Sequence, residues 1–313
     1  MRLAISIDVE EEGLFSGKYS RIPQEVENVN ELRRLEFITS EFGVPLTLLV
    51  THSVAVSPTC RQILEYFSEN LRAEIGAHLH PWNTPPFRVL PYAEPVRSDL
   101  LPHPLLKAKL ETLLASLRDN AGLYPQSFRM GRFDLGKAVC GLLPEYGLRV
   151  DSSIVPLQNI AGGPDHFFAP ADPFNLTSEV SSHSDIPVLE VPLTIVPLLR
   201  ATPRLAFRLA SRMSGRGQDA IFTAFRHIGI AGIHPAWFPL QSMKLAVRLH
   251  RSRGGKVLNM FLHSSELKPG ATPSFRTERA VNSLVEKIRR FLTWLVRTGP
   301  VEGVTLSQLY GQH

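Results

Sequence analysis

The 313-residue chain is 43% hydrophobic and 20% charged, which is enough apolar material for a sizeable core and the balance of an ordinary soluble globular protein. Its net charge of +5 and pI near 9.4 invite a nucleic-acid reading. Much of the basic excess sits in residues 200–216 without a nucleic-acid motif, so no nucleic-acid partner is expected. Two isolated cysteines, Cys60 and Cys140, exclude a disulfide framework.

The opening residues, Met1 to Asp8, read as a strand rather than a secretion signal. Short β-branched runs then alternate with longer helix-compatible stretches, the pattern of an α/β fold with a largely parallel sheet. Strands are predicted over 3–7, 45–50, 73–77, 127–129, 148–150, 188–194, 257–262 and 303–306. Helical periodicity is found over 30–42, with Leu32, Leu35, Ile38 and Phe42 on one side, and over 105–120 and 277–298. The proline-rich stretch 81–104 carries Trp82, Phe87 and Tyr92 and reads as a long ordered loop. The longest apolar run, 186–199, is interrupted by Glu190, Pro192 and Pro197 and does not make a membrane-spanning helix. No repeat or shift of composition marks a second domain. A single domain, 1–313, built as a distorted (β/α)-barrel of seven or eight strands, is therefore expected in the cytoplasm.

Polar residues follow the apolar strands repeatedly. Asp8-Val9-Glu10 closes the first strand, His78-Leu79-His80 the third, Arg129 the fourth, Asp151 the fifth and His263 a late one. In a barrel, residues at the C-terminal strand ends converge on one mouth, where chemistry is placed. Spacing by two puts Asp8 and Glu10, and likewise His78 and His80, on common faces. Two imidazoles and a carboxylate suit a zinc ion with one position left open, and a second carboxylate beside it can take a proton from water. A lone histidine at a strand end is ordinarily a surface residue; the two pairs together carry the argument.

The order Ile-Asp-Val-Glu, Glu-Ile-Gly-Ala-His-Leu-His-Pro, Ser-Phe-Arg, Val-Asp-Ser-Ser and Phe-Leu-His-Ser resembles the polysaccharide deacetylases of the NodB-homology, carbohydrate esterase four superfamily, across residues 6–306. The resemblance implies a metal-dependent hydrolase that removes N-acetyl groups from an amino sugar or polysaccharide precursor. It implies Asp8 as base, Arg129 as the partner that holds it, and His263 as the acid for the departing amine. Glu10 and His78 match metal ligands, with Zn2+ as the expected ion. The family's second histidine is expected where Trp82 stands, so His80 is the substitute, at a spacing that calls for a different backbone turn. Arg132 is a weaker candidate for the role of Arg129. Glu190 is a candidate partner for His263 or Arg129, or an exposed residue of an edge strand. Trp82, Phe87 and Trp237 are candidate platforms for sugar rings.

The changed second motif keeps two alternatives open: hydrolysis of a small non-sugar amide, and a carbohydrate-binding barrel without activity. Arg200, Arg204, Arg208, Arg212 and Arg216 recur every four residues among Leu205, Phe207, Leu209 and Met213. As one helix they make a solvated basic face, or a surface for an anionic membrane or a lipid-linked sugar, which would place the protein at the inner face of a membrane.

Overall fold

The fold is a computed structural model, which describes residues 1–17, 19–22, 24–158, 164–176 and 187–311. Ile186, the first residue of the long apolar run, lies outside the described residues. The strands are β1 (Arg2–Val9), β2 (Leu46–Val50), β3 (Glu74–Leu79), β4 (Ser127–Met130), β5 (Val150–Asp151), β6 (Phe174–Leu176), β7 (Val188–Glu190), β8 (Ile195–Pro197), β9 (Ile230–Gly232), β10 (Val257–His263) and β11 (Glu302–Gly303). The main sheet runs β10-β1-β2-β3-β4-β5-β7-β6. Its neighbours are parallel except for β6, which pairs antiparallel with β7. β11 pairs with the first residues of β1, and β8 and β9 form a separate antiparallel ribbon.

Leu3, Ala4, Ile5, Ile7 and Val9 of β1 are all buried, as are all five residues of β2. Strands apolar on both faces belong inside a parallel sheet covered on both sides, which is why they read as continuous runs. The sheet curls until the chain beyond β7 meets β10. At that seam Asn259 donates through Nδ2 to Val191 O (2.9 Å), its own carbonyl accepts from Thr194 N (3.1 Å), and its amide donates to Thr194 Oγ1 (2.8 Å). The result is a distorted (β/α)-barrel, sewn at one seam by individual bonds instead of a ladder.

Several elements differ from the sequence reading. Ladder pairing covers only 150–151, 188–190 and 302–303 where longer strands were predicted. The helix predicted over 30–42 begins as a 3-10 segment, Glu27–Leu35, and becomes α-helical only over Glu36–Phe42. Val29, Leu32 and Leu35 are buried at a strict spacing of three, the period of a 3-10 helix. The predicted helices near 105–120 and 277–298 are present as His103–Ala121 and Glu278–Arg297, the latter capped by Thr277.

The arginine-rich segment is not one helix. It is a hairpin of Thr202–Ala210 and Arg216–Ile228, so the four-residue arginine period does not run along a single cylinder. The break falls at Gly215, whose φ of 54° and ψ of −127° lie in a region that side chains with a Cβ avoid. Among the described residues, no helix is long and apolar enough to cross a membrane.

Candidate active site at the strand C-termini

Parallel pairing brings the strand ends together in register. Asp8 lies opposite His263 across β1 and β10, and His78 lies opposite Arg129 across β3 and β4. His80 follows β3 directly. The alternation of an extended chain therefore puts both imidazoles on one face, and no special turn is needed to make His80 the second nitrogen donor.

Glu10, His78 and His80 form one buried cluster whose ligand atoms lie within 4.8 Å of one another. Glu10 Oε2 is 3.5 Å from His78 Nε2 and 3.4 Å from His80 Nε2. Each ring is held from behind. His78 Nδ1 donates to Arg129 O (3.0 Å), and His80 Nδ1 donates to Glu11 Oε1 (2.9 Å). Neutral rings held this way turn their Nε2 lone pairs toward each other, 2.9 Å apart. A shared cation or a proton relieves that contact. Two imidazoles plus one carboxylate, oriented by a backbone carbonyl and a second carboxylate, is a donor set that fits a zinc-like ion with an open position. The backbone of Glu10 is pinned as well: its N donates to Ser264 Oγ (3.2 Å) and its O accepts from Asn28 Nδ2 (2.9 Å).

Electrostatics follow from burial beside opposite charge. Burial penalises the Glu10 carboxylate, but His263, His78 and His80 outweigh it and hold its pKa far below the usual range. Burial works against the charged form of His80, while Glu11 and Glu10 push it up to about 10. The same opposition, with Glu10 and Glu266 on the winning side, raises His263 to about 9.

Asp8 is fixed by Arg129, which is fully buried. The guanidinium donates through Nη1 to Asp8 Oδ1 (2.5 Å), through Nε to Ser152 O (2.6 Å), and through Nη2 to Ser6 Oγ and Ser152 Oγ (2.8 Å each). Asp8 Oδ2 is left over and sits 3.6 Å from His78 Nε2. Arg132 does not share this role. It lies over the Tyr19 ring (5.4 Å) at the cavity wall. Arg132 and Phe133 both have positive φ, 58° and 57°, a strained pair of the kind found where a loop must aim side chains into a site.

The cavity at these strand ends measures about 270 Å³ and is lined by Asp8, Glu10, His78, His80 and His263, with Phe15, Tyr19, Trp82, Phe133 and Trp237 as apolar walls. Trp82 stacks on His80 with ring centres 4.2 Å apart and so braces that imidazole from the side. Gly131 makes this possible: a Cβ there would come within 2.6 Å of the His80 ring. Phe87 does not line the cavity; it is exposed and packs beside Lys109 and Arg21. A larger cleft of about 860 Å³ shares Phe15 with the site but contains none of the converging residues.

Sequence reasoning missed three supporting groups. Glu11 was hidden in an acidic run that resembles a solvated face, yet it is buried and also accepts from Asn83 and Thr51. Glu266 lies three residues beyond His263, with Oε1 3.4 Å from its Nδ1 and Oε2 accepting from its backbone N (3.1 Å). His234 stacks on Trp237 (4.0 Å) and accepts at Nδ1 from the amides of Ala236 and Trp237; burial lowers it to about 3. Only the spacing of Glu266 left a signal in the sequence.

Asp151 and Glu190 do not reach the cavity. They lie side by side across β5 and β7, both fully buried, so the edge-strand reading of Glu190 is wrong. Burial first, then the neighbouring Asp151 carboxylate, raise Glu190 well above its usual range.

The architecture is a distorted (β/α)-barrel with its polar residues gathered at the strand C-termini. No protein-family model matches the sequence, and no curated protein matches it. Solved structures do. A candidate polysaccharide deacetylase from Mycobacterium smegmatis aligns over 98% of this chain and 88% of its own, with 17% identity and a TM-score of 0.55. A candidate glycoside hydrolase/deacetylase from Parabacteroides distasonis aligns over 98% and 70%, with 12% identity and a TM-score of 0.62. A GH57 branching enzyme from Thermococcus kodakaraensis, solved with glucose, aligns over 100% and 71%, with 11% identity and a TM-score of 0.50. At these identities the likeness defines the fold, and the reaction must be argued from the site.

Proposed function

We propose that this protein is a metal-dependent deacetylase-type hydrolase that removes an N-acetyl group from an amino sugar or a polysaccharide precursor. The observation that carries the reading is the division of labour among buried groups. Glu10, His78 and His80 present three donor atoms to one point, while Asp8 and His263 stand beside that point without belonging to it. A binding module has no use for a buried carboxylate held by a guanidinium next to such a cluster.

Glu10 Oε2 and the two Nε2 atoms would hold the ion, which we take to be Zn2+. When bound, such an ion supplies a lowered water pKa and polarisation of the amide carbonyl. The remaining steps belong to the chain. Arg129 occupies Asp8 Oδ1, leaving Oδ2 as the atom that takes a proton from the attacking water. His263, with Glu266 at its Nδ1, keeps Nε2 to deliver a proton to the departing amine nitrogen. Trp82, Phe133 and Trp237 exclude water from the walls and offer flat surfaces to a sugar ring. A cytoplasmic setting belongs to the same reading and is supported by the free thiols of Cys60 and Cys140.

The test is acetate release from N-acetylated oligosaccharides by the metal-loaded protein, compared with Asp8→Asn and His263→Ala. Acetate from wild type, with each variant slowed by two orders of magnitude or more, is the expected result. Release unaffected by Asp8→Asn would remove the assigned base and with it this reading.

A further inference from the structure

The hairpin of Thr202–Ala210 and Arg216–Ile228 has one face with an evident packing role. Ala206, Ala210, Phe222 and Phe225 join Phe261 and Val155 in a buried apolar cluster behind the site. The opposite face is unusual for a solvated surface. Helical spacing sets Arg204 and Arg208 on one stripe and Leu205 and Leu209 on the next. Leu205 is 57% exposed, Leu209 46% and Met213 52%. Leu199 and Ile228, also exposed, flank the base of the hairpin, where Leu198 N donates to Gly229 O.

Arg200, Arg204, Arg208, Arg212 and Arg216 are all exposed, and among the described residues none of them makes an ion pair. No Asp or Glu occurs between Glu190 and Asp219. Solvated helical faces normally interleave both signs of charge, and exposed leucines are normally scattered singly. A cationic stripe beside an apolar stripe is complementary to a surface that is anionic outside and apolar beneath. A second copy of this chain fits poorly, because a two-fold contact would set the arginines against themselves.

We propose that this face docks the barrel onto an anionic lipid bilayer, with Leu205, Leu209 and Met213 entering the interface and the arginines meeting lipid phosphates. The proposal stands independently of the reaction at the strand ends.

Vesicle flotation of the full chain tests it, using phosphatidylcholine alone and phosphatidylcholine mixed with phosphatidylglycerol. Flotation is expected only with the anionic vesicles, falling as salt is raised. Arg204→Gln/Arg208→Gln/Arg212→Gln should weaken partitioning roughly a hundredfold, at about fivefold per arginine. Leu205→Ser/Leu209→Ser/Met213→Ser should weaken it at least about tenfold with the salt dependence retained. Both variants change exposed positions, and circular dichroism checks that they are folded. No flotation, equal flotation on neutral vesicles, or indifference to either set of substitutions overturns the proposal. So does a concentration-dependent dimer abolished by the same substitutions, which would assign the face to a second copy.

Discussion

Replacing Arg129 by Met isolates what the buried guanidinium does. The substitution keeps an unbranched side chain beneath Phe261 and Phe133 but deletes bonds to Asp8 Oδ1, Ser6 Oγ, Ser152 O and Ser152 Oγ. Asp8 and Arg129 are both buried, so solvent screens the pair little and the lost partner is only poorly replaced. Removing one member of a buried pair costs about 3–5 kcal/mol, mostly from the charge left behind. For a chain of this size that is a fall in Tm on the order of 10 °C. Adding Asp8→Asn to Arg129→Met removes the stranded charge and should recover part of the loss, giving a coupling energy above about 1 kcal/mol in a double-mutant cycle. Urea unfolding of the four proteins supplies the cycle. A loss below about 1 kcal/mol for Arg129→Met, or a double variant no more stable than that single one, refutes the account of Asp8 as a carboxylate held in place by this ion pair.

Other consequences are equally direct. Glu11→Gln keeps an acceptor for His80 Nδ1 but removes its charge, so affinity for a divalent ion should fall about 10–100-fold in competition with a chelator; unchanged affinity would deny Glu11 its orienting role. Glu190 has a folded-state pKa raised above its ordinary 4.5. The folded form therefore binds more protons than the unfolded form above that value, and stability is lost as pH rises through the folded value. Glu190→Gln should therefore be more stable than wild type at pH 8, with the difference shrinking toward pH 4.5 in denaturant titrations. A difference that grows at low pH would reverse the sign and the argument.

The parts of this fold visible in the sequence are those with strong local signals. β1, β2, β3, β4 and β10 are apolar runs closed by polar residues, and the long helices near 103–121 and 278–297 carry a clear period. β6, β8 and β9 have only three residues each, too few to show alternation, and exist because tertiary neighbours supply their partners. The 3-10 segment was read as α-helix because a spacing of three satisfies both periods over a short window. In the site, Asp8, Glu10, His78, His80, Arg129 and His263 stood out because polar residues at the ends of apolar strands are conspicuous. Glu11 and His234 did not: one is embedded in an acidic run, and the other depends on a stack with Trp237 and two backbone amides that no spacing announces.

The central claim is that Glu10, His78 and His80 bind one divalent ion. Metal content of freshly purified wild type, His78→Ala and His80→Ala, with and without reconstitution by Zn2+, tests it most directly. The account predicts about one ion per wild-type chain and loss in both variants. No metal in reconstituted wild type, or full retention by His80→Ala, would contradict it.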